Sequence, residues 1–205
     1  MFCRDAKAEI RLMGAQDFLR LPDTKNIQDL DAPETTLLHR KIIQSKPFLK
    51  KLYLDFYSFF LNEVPDLSQK KCVELGSGGG FLKEIYPTVT TSDILELEDV
   101  DLCFSGLEMP FESASIDAFF MIDVFHHVPD SEKFLQELSR CLKPGGKIVM
   151  IEPANTLWGR FIYQNFHHEP FEPAAGWKLD GTGPLSCANG ALPYIVFKRD
   201  RQRFE

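Results

Sequence analysis

The chain has 205 residues, of which 44% are hydrophobic and 26% charged, a globular composition that excludes collagen, coiled coil and bulk disorder. Its 23 Lys and Arg against 30 Asp and Glu give a formal net charge of −7, which disfavours a general nucleic-acid binder. The 5 cysteines form no C-x-x-C pair, so we expect reduced thiols rather than disulfides or a zinc site. Apolar runs fall short of the ~20 residues that cross a bilayer, and we expect a cytoplasmic protein.

Residues 1–66 are predicted to form an N-terminal arm and a helical extension that packs on the core. Residues 1–30 are weakly periodic and favour at most a short helix and an irregular arm. Asp31, Pro33 and Glu34 then predict a helix start in which Asp31 caps the helix. Pro47 separates this helix from a second one.

The second helix carries a wide stripe of apolar and aromatic residues at helical spacing. We expect the stripe to pack on a core. A lid over a pocket is an alternative, and so is a membrane-surface helix, which the nearby Lys46, Lys50 and Lys51 would favour.

Residues 67–205 show the pattern of a single α/β domain. Short β-rich runs alternate with glycine turns and helical segments, which predicts a Rossmann-like parallel sheet flanked by helices. The predicted strands are Lys71–Leu75, Thr88–Ile94, Asp101–Phe104, Ile116–Ile122 and Lys147–Glu152, and the predicted helices are Gly79–Tyr86 and Ser131–Leu142. Residues 95–100 are too few for a helical crossover of about 10–12 residues, so we expect no helix between the second and third strands.

A glycine-rich turn follows the first predicted strand, where residues 73–80 read V-E-L-G-S-G-G-G. Glycines at such a turn let a ligand approach the backbone, and the following helix start offers free N–H groups. The dinucleotide fingerprint G-x-G-x-x-G needs a third glycine where Phe81 stands, which disfavours an oxidoreductase. The pattern present is E-x-G-x-G-x-G, with Glu74 two residues before Gly76.

This pattern and the motifs after it resemble those of the class I methyltransferases that use S-adenosylmethionine (SAM). The resemblance runs from Val73 to Glu152, and within the family it is closest to enzymes acting on small molecules such as quinone and lipid precursors. The similar stretches are Asp93 at the end of the second strand, L-E-M-P-F at 107–111, I-D-A-F at 116–119, D-V-F-H-H-V-P-D at 123–130 and L-K-P-G-G-K at 142–147.

The resemblance implies SAM as the cofactor, with S-adenosylhomocysteine as its product. By this resemblance Asp93 binds the ribose hydroxyls, and Glu74 supports the glycine loop and the ammonium end. Ser105 stands where relatives often carry an Asp for the adenine amino group, so adenine binding would rest on Gly106 and Leu107. The implied cofactor-binding residues are Glu74, Gly76, Ser77, Gly78, Gly80, Asp93, Ile94, Ser105, Gly106, Leu107, Ile122 and Asp123.

Candidate catalytic residues follow the fourth strand, because ligands of such sheets bind at the carboxyl ends of the strands. We predict Asp123 and His126 as catalytic, the alternative being a structural role or contact with SAM alone. His127 is expected to be a buried, hydrogen-bonded histidine, and Glu152 points toward the same edge. Methyl transfer depends mainly on in-line positioning, and a general base is needed only if the acceptor proton leaves early.

The region after Glu152 is short for this family, so we expect an incomplete C-terminal part. One helix is predicted from Leu157, Phe161, Ile162 and Phe166, followed by a long loop. Residues 193–205 suit either a strand at Tyr194–Lys198 or an amphipathic helix. The family normally adds a sixth strand and an antiparallel seventh strand. Without them an open sheet edge would remain, which makes a homodimer possible.

The loop itself raises two further hypotheses. The run His167, His168 and Glu169 suggests a metal, but adjacent histidines do not share a face and H-E-x-x-H is absent, so we predict no metal. Residues 169–192 form a loop of a length that is uncommon without a function, and we expect it to line the acceptor pocket.

Together these features predict a SAM-dependent methyltransferase with a small-molecule acceptor, no nucleic-acid partner and no transmembrane segment. Two alternatives stay open: a methyltransferase acting on RNA or protein, and a catalytically impaired SAM-fold protein that works as a binding partner. The acceptor atom is not fixed by this fold.

Overall fold

The structure is a computed structural model that describes residues 24, 27, 29–181 and 183–205. The arm predicted at residues 1–30 lies outside this part of the chain, apart from residues 24, 27, 29 and 30.

A five-stranded sheet, in which all strands are parallel, forms the centre of the described residues and confirms the predicted α/β class. The strand order is β3-β2-β1-β4-β5. The first three strands are added toward one edge of the sheet and the last two toward the other, so the topological switch point lies between β1 and β4. The strands are β1 Cys72–Leu75, β2 Thr90–Asp93, β3 Leu102–Cys103, β4 Ile116–Ile122 and β5 Leu142–Ile151.

Strand β5 begins earlier than the turn signal predicts. Leu142 pairs with Ile116 and Lys147 pairs with Ala118, with an irregular register between these two pairs. Residues 143–146 therefore bulge out opposite a single residue of β4, and Gly145 takes a φ of +81° there. The predicted turn at Pro144, Gly145 and Gly146 is therefore present as a bulge within β5 and not as a link before it.

Two long helices, α1 Pro33–Ser45 and α2 Pro47–Glu63, pack beside the glycine turn and on one face of the sheet. Each has its proline in the first turn, where a missing N–H costs nothing. Phe60 of α2 stacks on Phe120 of β4, with ring centroids 4.7 Å apart. The aromatic stripe is only partly core, because Phe59 is 58% exposed.

The predicted cap of α1 is wrong. Ala32 is the N-cap and makes no side-chain cap bond. The Asp31 carboxylate instead accepts hydrogen bonds from the backbone N–H groups of Leu185 and Ser186, at 2.7 and 2.8 Å. Asp31 thus joins the start of α1 to the C-terminal loop.

The helix after the glycine turn is shorter than the predicted Gly79–Tyr86. A 3-10 turn at Ser77–Gly79 precedes a single helical turn, α3 Leu82–Ile85, in place of a continuous helix. Gly80, with φ −93° and ψ −178°, is extended and interrupts the helical path. No helix lies between β2 and β3, as the short link predicts.

The second face of the sheet is covered by α4 Ser131–Cys141 and by the C-terminal region. Asp130 caps α4 by accepting from the Lys133 N–H over 3.1 Å. The predicted helix α5 Leu157–Asn165 is present, and residues 166–191 form a long loop. The chain then ends in α6 Leu192–Tyr194, a π-helical turn at Ile195–Arg199 and α7 Arg201–Phe204, so the helical alternative is right.

No strand follows β5 in the described residues. Buried Leu192, Ile195 and Val196 fill the core against Phe125 and Phe134 instead. Strands β3 and β5 therefore remain sheet edges. Among the described residues, no helix has both the length and the apolar character needed to cross a membrane.

Candidate functional site

A cavity of about 570 Å³ opens at the carboxyl ends of β1, β2 and β4. Helix α1 contributes Thr36 and His39 to its lining, and the C-terminal loop contributes Pro184 and Leu185. Ten predicted site residues line it: Glu74, Gly76, Gly80, Asp93, Ile94, Ser105, Gly106, Leu107, Ile122 and Asp123. The other three, Ser77, Gly78 and His126, lie behind its surface.

Ser77 and Gly78 shape the glycine turn rather than face the cavity. The Ser77 hydroxyl donates to the Glu74 carbonyl over 2.9 Å and accepts from the Ser92 N–H over 3.2 Å. The Gly78 N–H donates to Asp93 Oδ2 over 3.0 Å. A Cβ on Gly78 would lie 2.5 Å from Thr36 Cγ2 and 2.8 Å from that Asp93 oxygen, so only glycine fits.

Two carboxyl groups face the cavity from the glycine side. Glu74 is buried, and its Oε2 has no hydrogen-bond partner among the described residues. Burial raises the pKa of Glu74 to about 8. Asp93 accepts from the Leu95 N–H through Oδ1 and from the Gly78 N–H through Oδ2, both at 3.0 Å. Each Asp93 oxygen keeps acceptor capacity for a further donor.

This donor and acceptor set fits SAM. The unpartnered Glu74 oxygen could accept from an ammonium group, and the Asp93 carboxylate could accept from a ribose diol. At the adenine side, the Ser105 hydroxyl accepts from the Leu107 N–H over 3.2 Å. A Cβ on Gly106 would lie 2.6 Å from the Phe134 ring, which brings the backbone close to that ring.

Asp123 lines the cavity directly after the end of β4. Its backbone is left-handed, with φ +54°, and the residue is exposed to the cavity. Burial of the carboxyl group within the cavity, together with the nearby Glu152 carboxylate, raises the pKa of Asp123 to about 6. Such a carboxyl changes its charge close to neutral pH.

His126 is held behind the cavity wall by two carboxylates. Its Nδ1 lies 2.7 Å from Glu152 Oε2 and its Nε2 lies 3.2 Å from Glu169 Oε2. Burial acts to lower the pKa of His126, but its contacts with the Glu152 and Glu169 carboxylates raise it to about 10. The ring is therefore a charged hydrogen-bond donor at neutral pH.

Glu152 also fixes the turn after β4. Its Oε1 accepts from the backbone N–H groups of Val124 and Phe125, at 2.9 and 2.7 Å. The predicted orientation of Glu152 toward this edge is confirmed.

His127 and Glu169 reach the cavity although sequence reasoning assigned them no catalytic role. His127 is hydrogen-bonded, as predicted, through Nδ1 to the Cys187 carbonyl oxygen over 3.1 Å. It nevertheless lines the cavity, and so do His167, His168 and Glu169. The only local signal for this placement is the length of the loop that carries Glu169.

Two groups in this region have ligand atoms within 4.8 Å of one another: His126 with His127 and Glu169, and Asp123 with His126 and Glu152. Both groups need His126 as a ligand. Both nitrogens of that ring lie close to carboxylate oxygens, at 2.7 Å from Glu152 Oε2 and 3.2 Å from Glu169 Oε2. The same contacts suit a proton held between the His126 ring and these carboxylates.

Comparison with known proteins adds a family match. Residues 73–150 match the model of a methyltransferase domain. The chain is 28% identical over 109 residues to ubiquinone biosynthesis O-methyltransferase of Idiomarina loihiensis, covering 44% of this chain and 45% of that protein. It is 31% identical over 72 residues to demethylmenaquinone methyltransferase of Streptomyces griseus, covering 34% of this chain and 31% of that protein.

The chain thus spans less than half the length of these curated relatives. Among solved structures it is similar to a SAM-dependent methyltransferase from Aquifex aeolicus, with 18% identity, 82% of this chain and 87% of that chain covered, and a TM-score of 0.48. The fold assignment rests on the strand order and the motif positions, and not on that likeness. Residues 73–150 are therefore similar to a methyltransferase domain, in agreement with the resemblance to class I SAM-dependent methyltransferases that the motifs indicate.

Proposed function

We propose that this chain transfers a methyl group from SAM to a small-molecule acceptor by in-line displacement. The observation that carries the proposal is the cavity at the carboxyl ends of β1, β2 and β4, which the carboxyl groups of Glu74, Asp93 and Asp123 line together. The relatives named for ubiquinone and menaquinone biosynthesis support an acceptor of the quinone-precursor kind.

Bound SAM supplies a methyl group already activated by a sulfonium. The chain's task is to hold this methyl in line with the acceptor and to exclude water. Glu74 and Asp93 hold the cofactor end, whereas Asp123 and the C-terminal loop face the acceptor. His126 acts as a positioning residue, because it anchors Glu169 from behind the cavity wall.

The residues that line the cavity favour a small acceptor that is uncharged or weakly charged. No Lys or Arg occurs among the described residues that line the cavity, so a phosphate-rich acceptor such as RNA would lack cations. The overall charge of −7 supports the same conclusion. Helix α1, from the proposed extension at residues 1–66, closes the cavity over the glycine turn.

The proposal includes a cytoplasmic location and leaves a homodimer through the open edges of β3 or β5 as a prediction. Sedimentation over a wide range of protein concentration measures the second point. A monomer at every concentration would contradict it.

A label-transfer assay tests the function. The purified chain is incubated with SAM carrying a tritiated methyl group and, separately, with 3,4-dihydroxybenzoate, menadiol, total RNA and a mixture of unfolded proteins. We expect label in at least one of the two small acceptors. Label in RNA or protein alone would contradict the small-molecule acceptor, and SAM binding without any transfer would favour the binding-partner alternative.

A further inference from the structure

The ring of His127 presents one nitrogen to the cavity with no hydrogen on it. The side chain is 12% exposed and lines the cavity. Its Nδ1 lies 3.1 Å from the Cys187 carbonyl oxygen, and a carbonyl oxygen can only accept. Nδ1 therefore carries the hydrogen, and Nε2 of the neutral ring carries a lone pair.

That lone pair faces a carboxylate. His127 Nε2 lies 3.6 Å from Glu169 Oε1, which is longer than a hydrogen bond. Burial acts to raise the pKa of Glu169, but its contacts with His126 and the other histidines lower it to about 2. Two acceptors thus face each other, and a proton arriving on Nε2 would be stabilised by the carboxylate.

The surroundings keep the His127 ring neutral before the reaction. Burial lowers its pKa, and so does the charged ring of His126, whose centroid lies 4.2 Å away. Carboxylates oppose this effect only in part. The charged groups that face His127 are His126 on its own turn, Glu152 from β5, Glu169 from the C-terminal loop and Asp31 from the start of α1.

We propose that His127 Nε2 is the proton acceptor of this site and that the acceptor's nucleophile is a phenolic hydroxyl. A neutral amine already has a free electron pair, whereas a phenol keeps its proton at neutral pH, its pKa being about 10. An unprotonated imidazole beside a carboxylate is therefore suited to a hydroxyl acceptor. The inference rests on the proposed function.

The step balances. The hydroxyl O–H bond breaks and its proton goes to Nε2, while the oxygen pair forms the bond to the methyl carbon. The carbon–sulfur bond breaks, and its electron pair stays on sulfur as a neutral thioether. The imidazolium, held by Glu169, then returns the proton to water.

Two variants separate the two ring nitrogens. In His127→Asn the amide nitrogen takes the place of Nδ1 and keeps a donor for the Cys187 carbonyl, but nothing replaces Nε2. With 3,4-dihydroxybenzoate and labelled SAM, we expect kcat to fall about 100-fold or more. The acidic limb of the pH profile disappears, and the Kd for SAM measured by calorimetry stays within about twofold.

Glu169→Gln removes the charge that stabilises the imidazolium, so the acidic limb moves to lower pH and kcat falls. Glu172→Gln is the matched control, because it changes an exposed carboxyl of the same loop that is not among the residues lining the cavity. We expect its kcat and pH profile to equal those of the unchanged chain.

Several outcomes would overturn the inference. One is His127→Asn with unchanged kcat and an intact acidic limb. Another is label transfer to 3,4-diaminobenzoate but not to the dihydroxy compound while SAM binds. Loss of turnover in EDTA would also overturn it, since a metal-bound ring cannot accept the proton. A chain that does not bind SAM would instead contradict the proposed function.

A spectroscopic readout needs no turnover and no variant. Nitrogen-15 NMR of the histidine rings at neutral pH should report His127 as the neutral ring with its hydrogen on Nδ1. A hydrogen on Nε2, or a charged ring, would overturn the inference directly.

Discussion

The buried ring of His126 donates its Nδ1 hydrogen to Glu152 across 2.7 Å, with side-chain exposures of 3% and 5%. The same carboxylate accepts from the backbone of Val124 and Phe125. One buried acid thus fixes both the turn after β4 and the charge state of the histidine. Removing it would leave three backbone donors without this partner and the charged ring with Glu169 alone.

Glu152→Ala should therefore lower the free energy of unfolding by about 3–5 kcal/mol. Glu132→Ala is the control, because that acid pairs with Arg203 at the exposed surface, and its loss should cost less than about 1 kcal/mol. Urea unfolding followed by circular dichroism measures both. Equal stability of the two variants would show that the buried contacts of Glu152 carry no special weight.

The charged His126 ring makes stability depend on pH. Its pKa is about 10 in the folded chain and about 6.5 when unfolded, so the folded state holds an extra proton between these values. The stabilisation is complete below about pH 6.5 and is lost as the pH rises through about 10. The difference in unfolding free energy between the unchanged chain and His126→Gln should therefore shrink from about pH 6 to about pH 10. A difference that is constant with pH would contradict the charged ring.

Cofactor binding should release a proton from Glu74. Its pKa of about 8 leaves the free site mostly protonated at about pH 6.5, and the SAM ammonium favours the ionised carboxylate. Calorimetric titration in phosphate and in Tris, which differ in ionisation enthalpy, counts the protons. We expect nearly one released proton for the unchanged chain and for the surface control Glu84→Gln, and none for Glu74→Gln. Equal heats in both buffers would contradict the assignment.

Neighbouring glycines should respond differently to alanine. A methyl group on Gly78 would meet Thr36 at 2.5 Å and Asp93 at 2.8 Å, whereas one on Gly79 would meet only Ile43 at 3.9 Å. Gly78→Ala should destabilise the chain by about 1–3 kcal/mol, and Gly79→Ala by about 0.5 kcal/mol or less. Thermal unfolding compares the two. A larger cost at Gly79 would mean that the turn packs differently.

The sheet and α4 were predictable because their signals are local. Strand β4 is a continuous apolar run, and α4 carries its own cap at Asp130. The role of Asp31 was not predictable, because a local capping pattern competes with a partner 154 residues away at Leu185. A tertiary hydrogen bond of that range leaves no trace in local spacing.

The candidate site divides in the same way. The part that we propose for the cofactor follows from a strand–turn motif, and its carboxyls, Glu74 and Asp93, line the cavity. The part that we propose for the acceptor includes Glu169, which a loop without regular structure brings to His126. Because adjacent histidines look alike in sequence, only the contacts distinguish the buried His126 from the cavity-lining His127.

Calorimetric titration with SAM, and separately with S-adenosylhomocysteine, tests the central claim most directly. We predict micromolar binding of both, lost in Asp93→Ala because its carboxylate lines the cavity at the end of β2. Binding should be retained in Asp99→Ala, an exposed surface acid paired with Arg40. Absence of binding to the unchanged chain, or undiminished binding to Asp93→Ala, would contradict the assignment of this cavity as the SAM site.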